Sequence, residues 1–190
     1  VLFRSWGAAL NIHTDHHNFV FRPGSNDMII GEDGGVYYSS TWGDVANASP
    51  TATSRNNGYN VTQMYSVGIK NLNADGYAIA GSQDNGTHKI TTTYNTIGAS
   101  GFVSGGDGML SFIDQNNPNV QIATYQYLAY LLADANGSVT QTLIDFPYGD
   151  FINPSDYDSG ANILYAKYTP LGVSKILKCL NVGTTNTIDS

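Results

Sequence analysis

Phe19-Val20-Phe21-Arg22-Pro23-Gly24-Ser25-Asn26-Asp27-Met28-Ile29-Ile30-Gly31-Glu32-Asp33-Gly34-Gly35 sets out a short apolar run, a polar turn and a second apolar run. The same order returns in Gly68-Ile69-Lys70-Asn71-Leu72-Asn73-Ala74-Asp75-Gly76-Tyr77-Ala78-Ile79-Ala80-Gly81-Ser82-Gln83-Asp84-Asn85-Gly86. It returns again in Leu110-Ser111-Phe112-Ile113-Asp114-Gln115-Asn116-Asn117-Pro118-Asn119-Val120-Gln121-Ile122-Ala123-Thr124-Tyr125. A looser fourth copy is Phe151-Ile152-Asn153-Pro154-Ser155-Asp156, continuing through Ala161-Asn162-Ile163-Leu164-Tyr165-Ala166. Aligned on the residue after the second run (Gly31, Gly81, Thr124, Lys167), the copies stand 50, 43 and 43 residues apart. A period of about 40–50 residues built from short strands marks propeller blades. The expected fold is all-β: a partial β-propeller of about four consecutive four-stranded antiparallel blades, forming one domain over residues 6–183.

Composition agrees with many short strands and tight turns. Of 190 residues, 12% are charged, 21 are Gly and 13 are Tyr. Gly and Asn tolerate the positive φ of tight turns, and recurrent aromatic and β-branched residues argue against disorder. A net charge of −7 with eight Lys and Arg in all excludes nucleic acid as a partner, because its phosphates would be repelled. Cys179 stands alone, so no intrachain disulfide is possible. No stretch approaches the roughly 20 apolar residues of a membrane-spanning helix. Val1-Leu2-Phe3-Arg4-Ser5 matches a translated sequencing-library adapter and reads as a non-native leader, while residues 184–190 read as a frayed tail. An open arc of four blades exposes apolar faces at both ends, so missing blades of a parent chain are expected partners.

Strands are predicted over residues 12–21, 28–30 and 36–38, with Asp33-Gly34-Gly35 as a hairpin turn. Residues 41–60 read as an irregular loop. Further strands are predicted over 61–69, 77–80 and 87–94, followed by a Gly-rich loop over 97–108. Residues 110–113 and 120–132 carry the next blade. Asn136-Gly137 predicts a type I′ hairpin turn, and residues 163–165 through 173–179 form the last blade.

His13-Thr14-Asp15-His16-His17 is the densest ionisable cluster. On an extended strand His13, Asp15 and His17 share one face, about 6–7 Å apart at each step. Such a trio suits ligand binding, or a divalent metal if the backbone bends, though no fourth ligand can be named. The competing reading is a polar strand hydrogen-bonded to neighbouring turns. Glu32 and Asp33 place two carboxylates at a hairpin tip, where Asp33 could act as a general acid or base opposite a second carboxylate; a turn-capping role is the alternative. Ser82-Gln83-Asp84-Asn85-Gly86 and Gly105-Gly106-Asp107-Gly108 repeat that pattern, so Asp84, Asn85 and Asp107 are candidate binding residues on one rim. Tyr125, Tyr127, Tyr130 and Trp42 either stack on sugar rings or fill the space between blades. No nucleophile elbow and no phosphate loop is present, and no cofactor is expected.

Four of these motifs together resemble a known family. His13, Asp15, His17, Phe21 and Pro23 fit a His-x-Asp-x-His-x-x-x-Phe-x-Pro stretch. Gly31, residues 33–37 and Ser39 fit Gly-x-Asp-Gly-Gly-Val-Tyr-x-Ser, Gly81 and residues 83–87 fit Gly-x-Gln-Asp-Asn-Gly-Thr, and residues 105–108 fit Gly-Gly-Asp-Gly. In order and spacing, residues 12–127 resemble secreted propeller proteins of Bacteroidetes, related to sortilin-type and xyloglucanase-type propellers and often exported by the type nine route. The resemblance implies an extracellular or outer cell-surface location, with rim loops that recognise a polysaccharide or an extracellular protein. It also implies two rivals: a glycoside hydrolase acting on β-glucan through paired Asp residues, with Asp33 as the one position of local likeness, and a non-catalytic scaffold in an adhesin. Ser39-Ser40-Thr41-Trp42-Gly43 matches the family's Ser-x-Asp-x-Gly-x-x-Trp box only in part.

Overall fold

The computed structural model describes residues 12–13, 15–42, 51–58, 62–70, 76–91 and 100–190. The expected leader, residues 1–5, lies outside them. The chain divides into two compact units, Val1–Val61 and Thr62–Ser190. Four four-stranded antiparallel sheets carry nearly all the regular structure, and helix among the described residues amounts to one 3-10 turn, Pro170–Gly172. No described helix is long and apolar enough to cross a membrane.

The first unit holds β1 (His16–Phe21), β2 (Met28–Glu32), β3 (Gly35–Ser39) and β4 (Thr53–Ser54). In the second unit β5 (Ser66–Ile69), β6 (Tyr77–Ser82), β7 (Gly86–Thr91) and β8 (Gly101–Ser104) make one sheet. The next is β9 (Ser111–Ile113), β10 (Gln121–Tyr125), β11 (Leu128–Ala133) and β12 (Val139–Phe146). The last is β13 (Ser155–Asp158), β14 (Ile163–Tyr168), β15 (Lys175–Leu180) and β16 (Thr187–Asp189). In every sheet, spatial order follows chain order. The repeat seen in the sequence is therefore the first hairpin of each sheet. Gly31, Gly81, Thr124 and Lys167 all occupy the last-but-one position of their sheet's second strand.

Period-two alternation fixes what each strand buries. In β2, Met28, Ile30 and Glu32 face inward, and Met28 and Ile30 meet Ile12, Phe19, Tyr37 and Trp42. Glu32 shares that row, which draws its carboxylate into the interior. The middle sheet of the second unit is buried on both faces. Ile122, Tyr130 and Leu132 pack with Leu164, Leu177 and Cys179 of the last sheet, each large apolar side chain contributing about 1.5–3 kcal/mol. Ala123 and Ala133 point the other way and join Val103 of β8. The neighbouring sheet approaches closely there too: at Gly68 of β5 an added Cβ would sit 2.9 Å from the Ser111 carbonyl oxygen of β9. The first strands β5, β9 and β13 line a common groove of about 320 Å³, with Ser66, Gly68, Ser111, Ile113, Ser155 and Tyr157 in its walls.

Several local expectations are corrected. Residues 97–108 contain β8, and the loop over 41–60 contains β4; residues 43–50, 59–60 and 92–99 lie outside the described set. Within the expected blade segment 120–132, strands β10 and β11 are joined by Gln126-Tyr127. In the fourth repeat, β13 covers Ser155–Asp158 and the turn is residues 159–162. At Asn136-Gly137 only Gly137 has positive φ, +86°. Gly137 N–H donates to Asp134 O and Asp134 N–H to Ser138 O, both at 2.9 Å, which is a type I turn closed by a glycine bulge rather than type I′. Asp134 Oδ1 accepts the N–H groups of Ser138 and Asn136, and these hold its carboxyl below the usual range. β16 pairs with β15 inside the segment expected to fray.

Candidate functional site

In the first unit the ionisable cluster is arranged differently from simple alternation. Asp15 takes φ +59° just before β1, and the pairing with β2 slips between His16 and Asn18. His16 thereby turns to Glu32, with Nδ1 to Oε2 at 2.8 Å, and its side chain is almost wholly buried. His13 engages the other oxygen of Glu32 through its backbone N–H at 2.6 Å, while its ring lies against Gly34. His17 Nε2 pairs with Asp33 Oδ1. Burial pushes the Glu32 carboxyl above its ordinary range, against the opposing pull of the His13 and His16 donors. His16 Nε2 has no hydrogen-bond partner, and the ring sits edge-on to Phe19 at 5.8 Å. Glu32 is thus a buried clamp that fastens His13 and His16 to the hairpin, not a carboxylate offered at a tip. The sequence reading passed over His16 because strict alternation placed it on the opposite face from His13 and His17.

The second unit brings the other candidates together. At one end of its sheets, three hydrogen bonds join four successive connections. Asp84 N–H donates to Asp107 Oδ1 at 3.0 Å, Asp107 N–H to Gln126 Oε1 at 3.3 Å, and Tyr127 N–H to Phe151 O at 3.1 Å. Thr169 N–H extends the rim by donating to Tyr148 O at 2.9 Å. Asn85 stays within its own turn: Nδ2 donates to Gln83 O, and Asn85 O faces His88 Nε2 at 2.8 Å. Lys167 Nζ bridges to Asp150 at 2.7 Å.

Glycines explain why these turns come so close. A Cβ on Gly81 would overlap the Met109 carbonyl oxygen, and one on Gly108 would overlap that of Gly86. The Gly-x-Gln-Asp-Asn-Gly and Gly-Gly-Asp-Gly motifs are thus two halves of one backbone contact, which places Asp84 beside Asp107. Asp84 itself sits at φ +63°.

Tyr127 is the unusual residue of this rim. It closes a two-residue turn at φ +68°, a conformation that costs a non-glycine residue roughly 1–2 kcal/mol. The residue is 49% exposed, and its ring meets that of Phe151, itself 42% exposed, edge to face at 6.1 Å and 85°. Tyr148 and Phe146 are exposed nearby, each against Tyr168 at 5.9 and 6.2 Å. Tyr130 and Trp42, by contrast, are packing residues: Tyr130 is buried with its hydroxyl accepting from Asn153 Nδ2 at 3.0 Å, and Trp42 covers Met28 and Ile30. Tyr125 is half-buried, and burial raises its phenol. No turn chemistry in Gln126-Tyr127 announced the bend, and Phe151 was noted only as the first residue of the fourth repeat.

The chain matches no known protein-family profile and no curated protein.

Proposed function

We propose that this chain belongs to a secreted or cell-surface β-propeller of the Bacteroidetes kind, which recognises a glycan through its rim loops without turning it over. Four like sheets in chain order support blades, and the groove shared by β5, β9 and β13 supports a common axis for the three sheets of the second unit. The observation that carries the functional reading is the rim itself. It sets Asp84, Asp107 and Gln126, hydrogen-bonded into a fixed array, beside the exposed rings of Tyr127 and Phe151. Acceptors and amides match sugar hydroxyls, and aromatic faces match the apolar C–H face of a pyranose. A glycan suits this surface better than a protein ligand, which would favour a broader apolar centre.

The hydrolase reading is less favoured. Asp33 is paired with His17, and both oxygens of Glu32 are occupied deep in the sheet. Incubating the chain with soluble mixed-linkage β-glucan and assaying both retention and reducing ends separates the readings. Retention with no new reducing ends is expected. Release of reducing ends that Asp33→Ala abolishes would replace recognition by hydrolysis.

A further inference from the structure

We infer that the Tyr127 ring, with Phe151 standing edge-to-face beside it as a wall, is the floor on which this rim receives the C–H face of a neutral pyranose ring, with Asp107 and Gln126 taking its hydroxyls. This rests on the reading of the rim as a glycan surface, and it names the subsite and the ligand class.

Backbone geometry is the first support. A two-residue turn with φ +68° at its second position asks for Gly or Asn, and Tyr127 stands there with half its surface in solvent. Packing does not account for the residue, since its ring contact is with an equally exposed Phe151. Backbone strain kept at an exposed aromatic side chain points to use of the ring. The edge-to-face pose also leaves open ring faces, on which a sugar can lie.

Polar groups beside it are oriented and partly unused. Gln126 Oε1 receives the Asp107 N–H, which fixes the amide plane, and no described residue accepts from its Nε2. Asp107 Oδ1 receives the Asp84 N–H, and its Oδ2 has no described donor. A carboxylate oxygen and an amide N–H together suit one hydroxyl as donor and another as acceptor.

Charge then selects the polymer. Asp84 and Asp107 lie along this rim, and the Lys167 ammonium near Phe151 is neutralised by Asp150. Among the described residues a uronic acid or phosphate group would meet these carboxylates and an ammonium already paired with Asp150, whereas a neutral sugar meets acceptors.

The test titrates the 190-residue chain with soluble mixed-linkage β-glucan, galactomannan and amylose, with polygalacturonate as the anionic comparison. Tyr127→Gly should melt at the same or a higher temperature, because glycine suits the turn, and should bind the preferred neutral polymer about tenfold more weakly. Tyr127→Phe should bind within about twofold of the parent, since the ring face is kept. Equal binding by Tyr127→Gly and the parent would overturn the subsite and leave the rim reading standing. Weakened binding with a matching fall in melting temperature would make Tyr127 a packing residue and also overturn it. A parent chain that binds none of the three neutral polymers, or prefers polygalacturonate, would overturn subsite and rim reading together.

Discussion

Tyr157 Oη donates to Asp114 Oδ2 at 2.5 Å, joining the first strand of the last sheet to the turn of the sheet before it. Asp114 is fully buried, and its Oδ1 accepts the N–H groups of Asn116 and Asn117 at 2.7 Å each. The Asp-Gln-Asn-Asn-Pro-Asn turn of the third repeat is thus organised by the carboxylate at its head. Asn116 Nδ2 adds a second tie to the last sheet, donating to Ser159 O at 3.2 Å.

Alkaline stability should report this bond. Burial, and then the Asp114 carboxylate, push the Tyr157 phenol far above its ordinary value of 10.0. Above that pH the unfolded chain releases the proton while the folded chain retains it, so stability falls as pH rises. Tyr157→Phe should flatten that slope in urea titrations run from pH 8 to pH 11. At pH 7 it should cost roughly 1–2 kcal/mol, toward the low side for a charged acceptor because the ring is half-exposed.

Removing the buried carboxylate of Glu32 should loosen the first sheet. Glu32→Ala leaves the half-buried His13 N–H and the buried His16 Nδ1 without their acceptor, at about 1–3 kcal/mol for each, toward the low side for His13. Amide exchange should quicken across β1 and β2 and stay unchanged in β10 and β11. Because burial raises the Glu32 carboxyl above 4.5, the folded state holds its proton longer than the unfolded chain as pH rises. Its contribution to stability is therefore greatest below pH 4.5 and declines as pH rises through the folded value. Glu32→Gln should remove that dependence.

Close approach of β5 and β9 should make Gly68 intolerant of a methyl group. Gly68→Ala puts a Cβ 2.9 Å from the Ser111 carbonyl oxygen, and backbone cannot yield as a flexible side chain does. A loss of about 1–3 kcal/mol is expected. Gly24→Ala is the comparison: no atom lies within 4 Å, and the cost of φ +75° alone is about 1 kcal/mol. Chemical denaturation of the two variants measures the difference.

The strand hairpins were legible because their physics is local. Alternating apolar residues around Asn-, Asp- and Gly-rich turns set the phase of β2, β6, β10 and β14, and the spacing of Gly31, Gly81, Thr124 and Lys167 held that phase. A shared rim for Asp84 and Asp107 was legible from their repeated glycine-flanked turns, whereas the backbone contact that joins the two turns is tertiary and was not. Tertiary effects hid the rest. The bend at Tyr127 runs against residue preference, so no local signal marked it. The slipped pairing at His17 rotated His16 toward Glu32, which a strict period of two assigns to the wrong face. β4 is two exposed polar residues held by β3, and β8 is four residues whose one inward apolar side chain, Val103, is too little to mark a strand in a Gly-rich stretch.

Amide chemical-shift mapping of the chain with mixed-linkage β-glucan tests the central claim most directly. The account predicts shifts confined to one end of the second unit, at Asp84, Asp107, Gln126, Tyr127 and Phe151. Shifts centred on Asn116, Ala135 and Asn162 at the opposite end, or no shifts with any neutral polysaccharide, would contradict it.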